Sequence, residues 1–160
     1  MNLINIKLPD DSIKEFKSGV TGFDIAESIG QGLLKASIAV KVDGDLKDLH
    51  HGITNDSYIE IITKKSEEAH HILLHSSAHL LAQSIKEIFP KAKIAIGPAL
   101  KETFYYDIDI DEVINESVLN KIEEKMIEIS NRDYKLCRKE LSYKNALKTF
   151  QDLKEDYKVE

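Results

Sequence analysis

The hydrophobic pattern of the chain changes after residue 62 from mainly strand-like alternation to a long helical period, and this change limits the folds that the chain can adopt. In residues 1–62, apolar and polar side chains alternate over short runs such as LINIKL at 3–8, which is typical of β-strands. From residue 67 to Phe89 the apolar residues recur every three or four positions instead, as on one face of an α-helix. The polar residues TKKS at 63–66 separate the two patterns. The sequence therefore predicts a first unit at 1–62, a linker at 63–66 and a second unit at 67–160.

The first unit is predicted to contain two strands, a helix and two further strands. The pair Asp43-Gly44 has the composition of a tight hairpin turn, as do residues 9–12 (PDDS). Thr21 is a predicted helix N-cap and Gly30 a predicted stop signal. The predicted strands are 3–8, 13–17, 38–42 and 57–62. This order predicts a small α+β unit in which one helix packs on a mixed sheet.

The second unit is predicted to be built on a long helix. Ser66 is the expected N-cap and Pro90 ends the helix, so that it covers residues 67–89. Its buried face is predicted to consist of the apolar residues at helical spacing, which are Leu74, Ala78, Leu81, Ile85 and Ile88.

Strand and helix signals alternate in the rest of the second unit. The segments KIAIGPAL and ETFYYDIDI are predicted strands with a turn at Gly97-Pro98. An amphipathic helix is predicted at 116–130, a strand at 134–141 and a short helix after Ser142. Residues 157–160 have the composition of a further strand. Because the chain stops inside this predicted strand, we expect a fragment of a longer protein, with an α+β fold class overall.

The composition excludes several functional classes. The chain has 22 Lys and Arg against 28 Asp and Glu, a net charge of −6, so phosphate binding over the whole surface is not expected. The single cysteine, Cys137, cannot form an internal disulfide, and the N-terminal residues MNLINIKLPDD lack the pattern of a secretory signal. No apolar stretch approaches the roughly 20 residues that a membrane helix needs. We therefore expect a cytoplasmic protein with no membrane contact.

Two histidines in the predicted long helix are the strongest candidates for chemistry. His75 and His79 are four residues apart, so both lie on one helix face, at the border of the buried stripe. A neutral imidazole can accept a proton near pH 7. A metal site needs a third and usually a fourth ligand, and Ser76 stands where the zinc-protease motif has glutamate, so no metal is expected. From spacing alone a structural role for the pair stays open and is the commoner case.

The order of three motifs resembles a known family. The run that begins at His75, HSSAHLLAQSIKEIFPKAKIAIGPALKETFYYDID, closely resembles the start of the editing domain of bacterial threonyl-tRNA synthetases. In that family a histidine pair HSxAHLL, an IGP turn and a GFYYD-like strand follow one another. Residues 1–62 resemble the TGS domain, a ubiquitin-like β-grasp module that opens these synthetases. The resemblance covers essentially the whole chain and implies that 67–160 is the first, incomplete part of the editing domain.

The resemblance implies both a reaction and a set of site residues. Synthetases of this family join threonine to tRNA(Thr) with ATP and hydrolyse seryl-tRNA(Thr). Threonine and serine differ by one methyl group, which binding discriminates by only about 1–3 kcal/mol, so a hydrolytic site is needed. Carried over by motif, His75 and His79 lie in the editing pocket and Tyr106 flanks the substrate. Lys158 positions the 3′-terminal adenosine or the attacking water. The resemblance does not decide which group is the general base.

The resemblance also implies cofactors and partners for a longer protein. No cofactor is expected in this chain, whereas the complete protein would use ATP, Mg²⁺ and a zinc ion in its catalytic core. The complete protein would form a homodimer through that core, and the chain alone would be monomeric. Ser77 stands where many relatives have cysteine, and the family's second motif, C-x-x-x-H, would lie beyond Glu160. We therefore expect the chain alone to be a poor or inactive deacylase.

Two other functions are compatible with parts of the sequence. TGS domains also occur in GTPases and stringent-response proteins, where they bind RNA or regulate, but HSSAHLL and IGP directly after the module argue against this alternative. A free-standing aminoacyl-tRNA deacylase of alanyl type would use a similar histidine pair with zinc and would need its own downstream Cys/His pair. Such deacylases usually lack a TGS domain.

Overall fold

The computed structural model of the protein describes residues 2–134, 136 and 138–159 and divides into two compact units. The first unit ends at His70 and the second starts at His71. Each unit contains its own cluster of buried apolar side chains. The finer boundaries at 62 and 66 stay a prediction, as does the description of 63–66 as a linker. None of the helices in the described part of the chain is long and apolar enough to cross a membrane.

The first unit consists of short strands with two helices between them. The elements are β1 (Leu3–Lys7), β2 (Ile13–Lys17), β3 (Val20–Thr21), α1 (Gly22–Ile29), α2 (Gln31–Ala36), β4 (Ser37–Val42), β5 (Asp45–Lys47), β6 (Gly52–Ile53) and β7 (Ser57–Thr63). All four predicted strands and the predicted helix are present. The sequence did not predict α2 or the small pair formed by β3 and β6, because runs this short carry no periodic signal.

The sheet topology of the first unit is that of a β-grasp. The five-stranded sheet has the order β2-β1-β7-β4-β5, and only its β1–β7 pair is parallel. The inward side chains of β1, Ile4 and Ile6, alternate with exposed residues and join Ile25 of α1 in the core. The predicted α+β class and the predicted ubiquitin-like β-grasp are therefore confirmed.

Helix α1 begins where the sequence predicts. The side chain of Thr21 accepts a hydrogen bond from the Asp24 N–H, and the Asp24 carboxylate accepts one from the Thr21 N–H at 2.9 Å. This reciprocal pair is a capping box, which satisfies backbone donors that a helix start leaves free. Gly22 then allows the helix to approach the sheet closely, because a Cβ there would lie 2.8 Å from the Cβ of Val40.

The second unit has longer helices and little sheet. Its elements are α3 (Ala69–Ile88), β8 (Lys93–Ile94), β9 (Ile108–Asp109), α4 (Glu116–Asn131), α5 (Tyr143–Asp152) and a 3-10 helix (Asp156–Lys158). The predicted helices at 116–130 and after Ser142 are confirmed, with Asn115 and Ser142 as N-caps. Of the predicted buried stripe on α3, Ala78 and Ile85 are buried, and the other members are partly buried.

Helix α3 begins later than the sequence predicts. Ser66 is not its N-cap, because the Ser66 hydroxyl accepts a hydrogen bond from the Thr63 N–H at 3.0 Å and so closes a turn after β7. The Ser66 carbonyl oxygen accepts the Ala69 N–H, and the helix starts at Ala69. The acidic residues that resembled a first helical turn, Glu67 and Glu68, therefore precede the helix. Glu68 pairs with Lys41 of β4 instead.

The strands predicted around Gly97-Pro98 are much shorter than expected. Only β8 and β9 are regular, and the backbone pairing continues irregularly from the Asp107 N–H to the Ile96 oxygen at 2.8 Å. The chain reverses direction farther on, where the Leu100 N–H bonds the Thr103 oxygen at 2.7 Å. The predicted turn at Gly97-Pro98 is therefore wrong. A proline has no N–H for a ladder, which explains why the regular pairing ends before it.

Two further predicted strands are absent from the described residues. The predicted strand at 134–141 includes residues 135 and 137, which lie outside the described part, and the residues described around them are irregular. The side chain of Leu136 in this segment is 88% exposed, so it does not pack against a sheet or a core. In place of the predicted strand at 157–160 the backbone forms a helical turn, in which the Lys158 N–H donates a hydrogen bond to the Glu155 carbonyl oxygen at 2.9 Å. This is the 3-10 helix, and residue 160 lies outside the description.

Candidate active site around the histidine pair of helix α3

Helix α3 brings the two predicted catalytic histidines into direct contact. The Nε2 atoms of His75 and His79 are 3.0 Å apart, and the ring centroids are 4.7 Å apart at an interplanar angle of 71°. Both side chains are exposed and lie beside the buried Ala78, at the border of the apolar face, as the helical spacing predicted. The structural part of the prediction, one shared helix face, is therefore confirmed, while the catalytic role stays a proposal.

The contact between the rings determines what the pair can offer to a ligand. A hydrogen bond between two Nε2 atoms needs one of them protonated and the other not. When both rings are neutral, each carries one proton, so one Nδ1 atom is an N–H donor and the other is an acceptor. This holds for either direction of the Nε2 bond. The pair therefore presents one proton acceptor and one hydrogen-bond donor, which is the combination that water-mediated hydrolysis of an ester needs.

The environment of His79 favours the neutral ring. Burial, then the charge of His75 and then the charge of Lys158 lower the pKa of His79 below its ordinary value. Burial disfavours a charged imidazolium, and nearby positive charges repel a further proton. His79 is therefore neutral at pH 7 and able to accept a proton.

Packing at the other end of α3 anchors the helix that carries the pair. The Arg132 guanidinium, just after α4, binds the Glu87 carboxylate with two hydrogen bonds of 2.9 and 2.8 Å. Its hydrogen bond to Glu128, together with that from Lys125, lowers the pKa of Glu128 to about 2. A two-point bond between a planar guanidinium and a carboxylate restricts orientation as well as distance. The histidines are thus presented on a helix that is held at its far end.

Lys158 lies in the neighbourhood of the histidine pair. Its Nζ atom donates a hydrogen bond to the Ala95 carbonyl oxygen at 2.6 Å, directly after β8. Its positive charge is close enough to contribute to the lowered pKa of His79. Of the predicted site residues, His75 and His79 are therefore in contact, and the charge of Lys158 acts on His79 from its place at the Ala95 oxygen, 63 residues away from Ala95 in the sequence.

Tyr106 occupies a different position from the other three residues. Its ring packs on the apolar cluster that includes Ile85 and Ala92, and it lies directly against Gly97. A Cβ at Gly97 would be only 2.1 Å from the Tyr106 ring, so only glycine fits there. Burial raises the pKa of Tyr106, which keeps its hydroxyl protonated. The described contacts of Tyr106 are thus with the core, and a role beside the substrate stays a proposal.

A groove next to His79 was not predicted from the sequence. A cavity of about 510 Å³ lies between α3 and the end of α4, and it is lined by Ser76, His79, Leu80, Gln83, Ile129, Ser130, Asp133, Tyr134 and Leu136. His79 belongs both to this groove and to the histidine pair. A single sequence carries no signal for the groove, because its two walls are far apart along the chain.

The described residues do not assemble a metal centre. In the part of the chain that the structure covers, no three His, Cys, Asp or Glu side chains converge as ligands. The two imidazoles of the pair supply only half of the donors that a tetrahedral zinc site takes. This donor set does not fit zinc, so no step of a mechanism is assigned to a metal here.

Comparison with known proteins finds one matching domain and several similar ligases. Residues 4–63 match the family model described as "TGS domain", and this span coincides with the β-grasp unit. All 160 residues align at 48% identity with the threonine–tRNA ligase of Geobacter sp. (strain M21), and at 49% with that of Citrifermentans bemidjiense. The ligase of Pelobacter propionicus is 48% identical over the same length. Over its whole length the chain is similar to the N-terminal regions of bacterial threonine–tRNA ligases.

The match to the threonine–tRNA ligases covers all of this chain but only a part of those proteins. The chain spans 25% of the length of each of these curated relatives. The resemblance inferred from HSSAHLL, IGP and FYYD is therefore confirmed at the level of the family. The reaction, the site residues and the partners of the complete protein are proposals.

Proposed function

We propose that this chain is part of a threonine–tRNA ligase and that its second unit hydrolyses serine wrongly attached to tRNA(Thr). One observation carries the proposal, which is the contact between His75 and His79 at 3.0 Å next to the charge of Lys158. The full-length identity to threonine–tRNA ligases supports it. In this proposal the complete protein attaches threonine to tRNA(Thr) with ATP and Mg²⁺.

The proposed hydrolysis has a physical reason. A pocket that binds threonine cannot reject serine strongly, since a missing methyl group costs only about 1–3 kcal/mol of binding. A second site that accepts serine and cleaves its ester removes the wrong product after it has formed. The exposed histidine pair on α3 offers the acid and base groups that such a site needs.

The chemistry proposed for the pair uses one water molecule. The Nδ1 acceptor takes a proton from the water, whose oxygen attacks the ester carbonyl carbon, while the Nδ1–H donor holds the carbonyl oxygen. When the carbonyl re-forms, the bond to the ribose oxygen breaks and the proton passes to that oxygen. The products are serine and uncharged tRNA. Either histidine can be the acceptor, depending on the direction of the bond between the two Nε2 atoms.

Lys158 and Tyr106 are proposed to position the substrate. The ammonium group of Lys158 can bind the 3′-terminal adenosine or orient the attacking water, since its three donors are not all used by the Ala95 oxygen. Tyr106 is proposed to flank the substrate with a hydroxyl that stays protonated. Both roles come from the resemblance, and the position of Lys158 close to His79 supports the first of them.

We propose that the 160-residue chain alone is a weak deacylase. Both histidines are exposed to solvent, and a hydrolytic site must exclude bulk water to strengthen its electrostatic interactions. We further propose that the complete protein binds tRNA(Thr) in the cytoplasm as a homodimer, with the dimer contact and a zinc ion in the aminoacylation core, and that the chain alone is a monomer. The name of the similar ligases supports tRNA as the partner, and the other statements come from the resemblance.

The test uses the complete ligase that contains this chain. We expect His75→Ala and His79→Ala to slow hydrolysis of seryl-tRNA(Thr) by about 10²–10⁴-fold, the range for loss of a general acid or base. The rate of threonine attachment should not change. His71→Ala is the matched control, because it removes an exposed histidine from the same helix outside the pair. Editing that survives both substitutions, or threonine attachment that fails with them, would contradict the proposal.

A further inference from the structure

The segment that carries Lys158 is attached to the rest of the second unit by four consecutive side chains. The contacts are the Glu155 carboxylate with Lys86 at 2.7 Å, Asp156 with Lys93 at 2.8 Å, the Tyr157 hydroxyl with Asp109 at 3.4 Å, and Lys158 with the Ala95 oxygen at 2.6 Å. Consecutive side chains of a 3-10 helix point about 120° apart. The turn is therefore held from several sides and not along a single face.

Glu155 differs from the other members of this set in its burial and in its backbone. Its side chain is 16% exposed, whereas that of Asp156 is 65% exposed, so solvent screens the Glu155 ion pair less. The carbonyl oxygen of Glu155 also accepts the Lys158 N–H at 2.9 Å. Glu155 thus connects to Lys158 through the backbone and to α3 through its carboxylate.

Lys86, the partner of Glu155, lies on the same helix as the histidine pair. It is seven residues after His79, and two turns of α-helix bring residues at this spacing to the same face, about 10 Å apart along the axis. The Lys86 Nζ atom also donates to the Ala92 oxygen at 2.8 Å, so its own position is restricted. One helix therefore carries His79 and also the anchor of the segment that brings Lys158 to it.

We propose that Glu155, through its ion pair with Lys86, is a positioning residue that holds the Lys158 ammonium group at the Ala95 carbonyl oxygen, from where its charge acts on His79. The use of this position in editing rests on the proposed function, but the position itself can be measured without any reaction. Glu155 does not contact the substrate in this proposal. It acts only by limiting where the Lys158 ammonium group can lie.

The test is an NMR titration of the His79 ring in the 160-residue chain. Lys158→Met should raise the pKa of His79, because it removes a nearby positive charge. Glu155→Gln should also raise it, by a smaller amount, because Lys158 is then held less closely while the contacts of Asp156, Tyr157 and Lys158 itself remain. The sign is diagnostic, since the loss of a carboxylate acting directly on His79 would lower the pKa. In the Lys158→Met background, Glu155→Gln should cause no further rise.

Two more variants separate positioning from a general loss of structure. Glu155→Asp keeps the charge but shortens the side chain, so it should raise the pKa of His79 as Glu155→Gln does. Glu140→Gln is the matched control, since it removes the carboxylate of an ion pair with Arg138 at 2.6 Å in the same unit and should leave His79 unchanged. An unchanged or lowered His79 pKa in Glu155→Gln and Glu155→Asp would overturn the proposal, and so would an unchanged value in Lys158→Met. Hydrolysis of seryl-tRNA(Thr) is not measured, so a failed editing assay would leave this result intact.

Discussion

At the scale of single residues, the chemistry of the proposed site depends on one hydrogen bond between imidazoles. The 3.0 Å contact between the Nε2 atoms of His75 and His79 exists only while at least one ring lacks its second proton. Burial, the charge that His75 carries when it is protonated and the charge of Lys158 lower the pKa of His79 and so maintain that state. Protonation of both rings at low pH therefore breaks the Nε2–Nε2 hydrogen bond and removes the proton acceptor as well.

This argument predicts how stability depends on pH. The folded pKa of His79 lies below the value of 6.5 for the unfolded chain, so the unfolded state binds protons more readily. The contribution of His79 to stability is thus fully present above pH 6.5 and is lost as the pH falls through its folded pKa. We expect urea unfolding of the wild type to lose more stability from pH 7.5 to 5 than that of His79→Gln. Equal losses in the two proteins would contradict this.

The contact between Gly97 and Tyr106 gives a second prediction at this scale. Gly97→Ala would place a Cβ 2.1 Å from the Tyr106 ring, which must then leave its position on the apolar cluster. We expect a loss of about 1–3 kcal/mol in the free energy of unfolding, as for other overpacked sites. Gly32→Ala is the control, because nothing lies within 4 Å of a Cβ at that position in α2. The idea fails if urea unfolding shows the same stability change for both variants.

At the scale of elements, the sequence predicts helix starts well and isolated strands poorly. Thr21 and Ser142 cap the helices that follow them, because a cap needs only residues three positions away. The strand predicted at 134–141 failed for the opposite reason, since a strand needs a partner that local sequence does not specify. The prediction that Ser66 is the N-cap of α3 was also wrong, because its hydroxyl accepts a hydrogen bond from the Thr63 N–H instead.

The two caps should differ in their effect on stability. The Thr21 cap begins α1, which buries Ile25 and Ala26 in the core, whereas no residue of α5 is buried. Thr21→Ala should therefore lower the free energy of unfolding of the first unit by about 1 kcal/mol. Ser142→Ala should change global stability by less than about 0.5 kcal/mol, because α5 can fray without exposing a core. Circular dichroism in urea measures both, and equal losses would show that α5 is coupled to the core.

At the scale of the whole molecule, the sequence predicts the units better than it predicts the site. A small α+β unit follows from the pattern of residues 1–62, its β-grasp topology was indicated by the family resemblance, and the shared helix face of His75 and His79 follows from helical spacing. Lys158 could not be joined to the pair in this way, because 63 residues separate it from the Ala95 oxygen that it binds. Only the family resemblance indicated Lys158, and no property of the single sequence indicated the groove beside His79.

The separate cores of the two units predict that each can be weakened by itself. Ile6 is fully buried in the first cluster and Ile85 is 1% exposed in the second. Ile6→Ala and Ile85→Ala should each cost about 2–5 kcal/mol in the unit that holds them, through lost burial and a remaining cavity. Amide exchange should accelerate only in the mutated unit. Faster exchange throughout both units in either variant would show a single cooperative core and contradict the prediction.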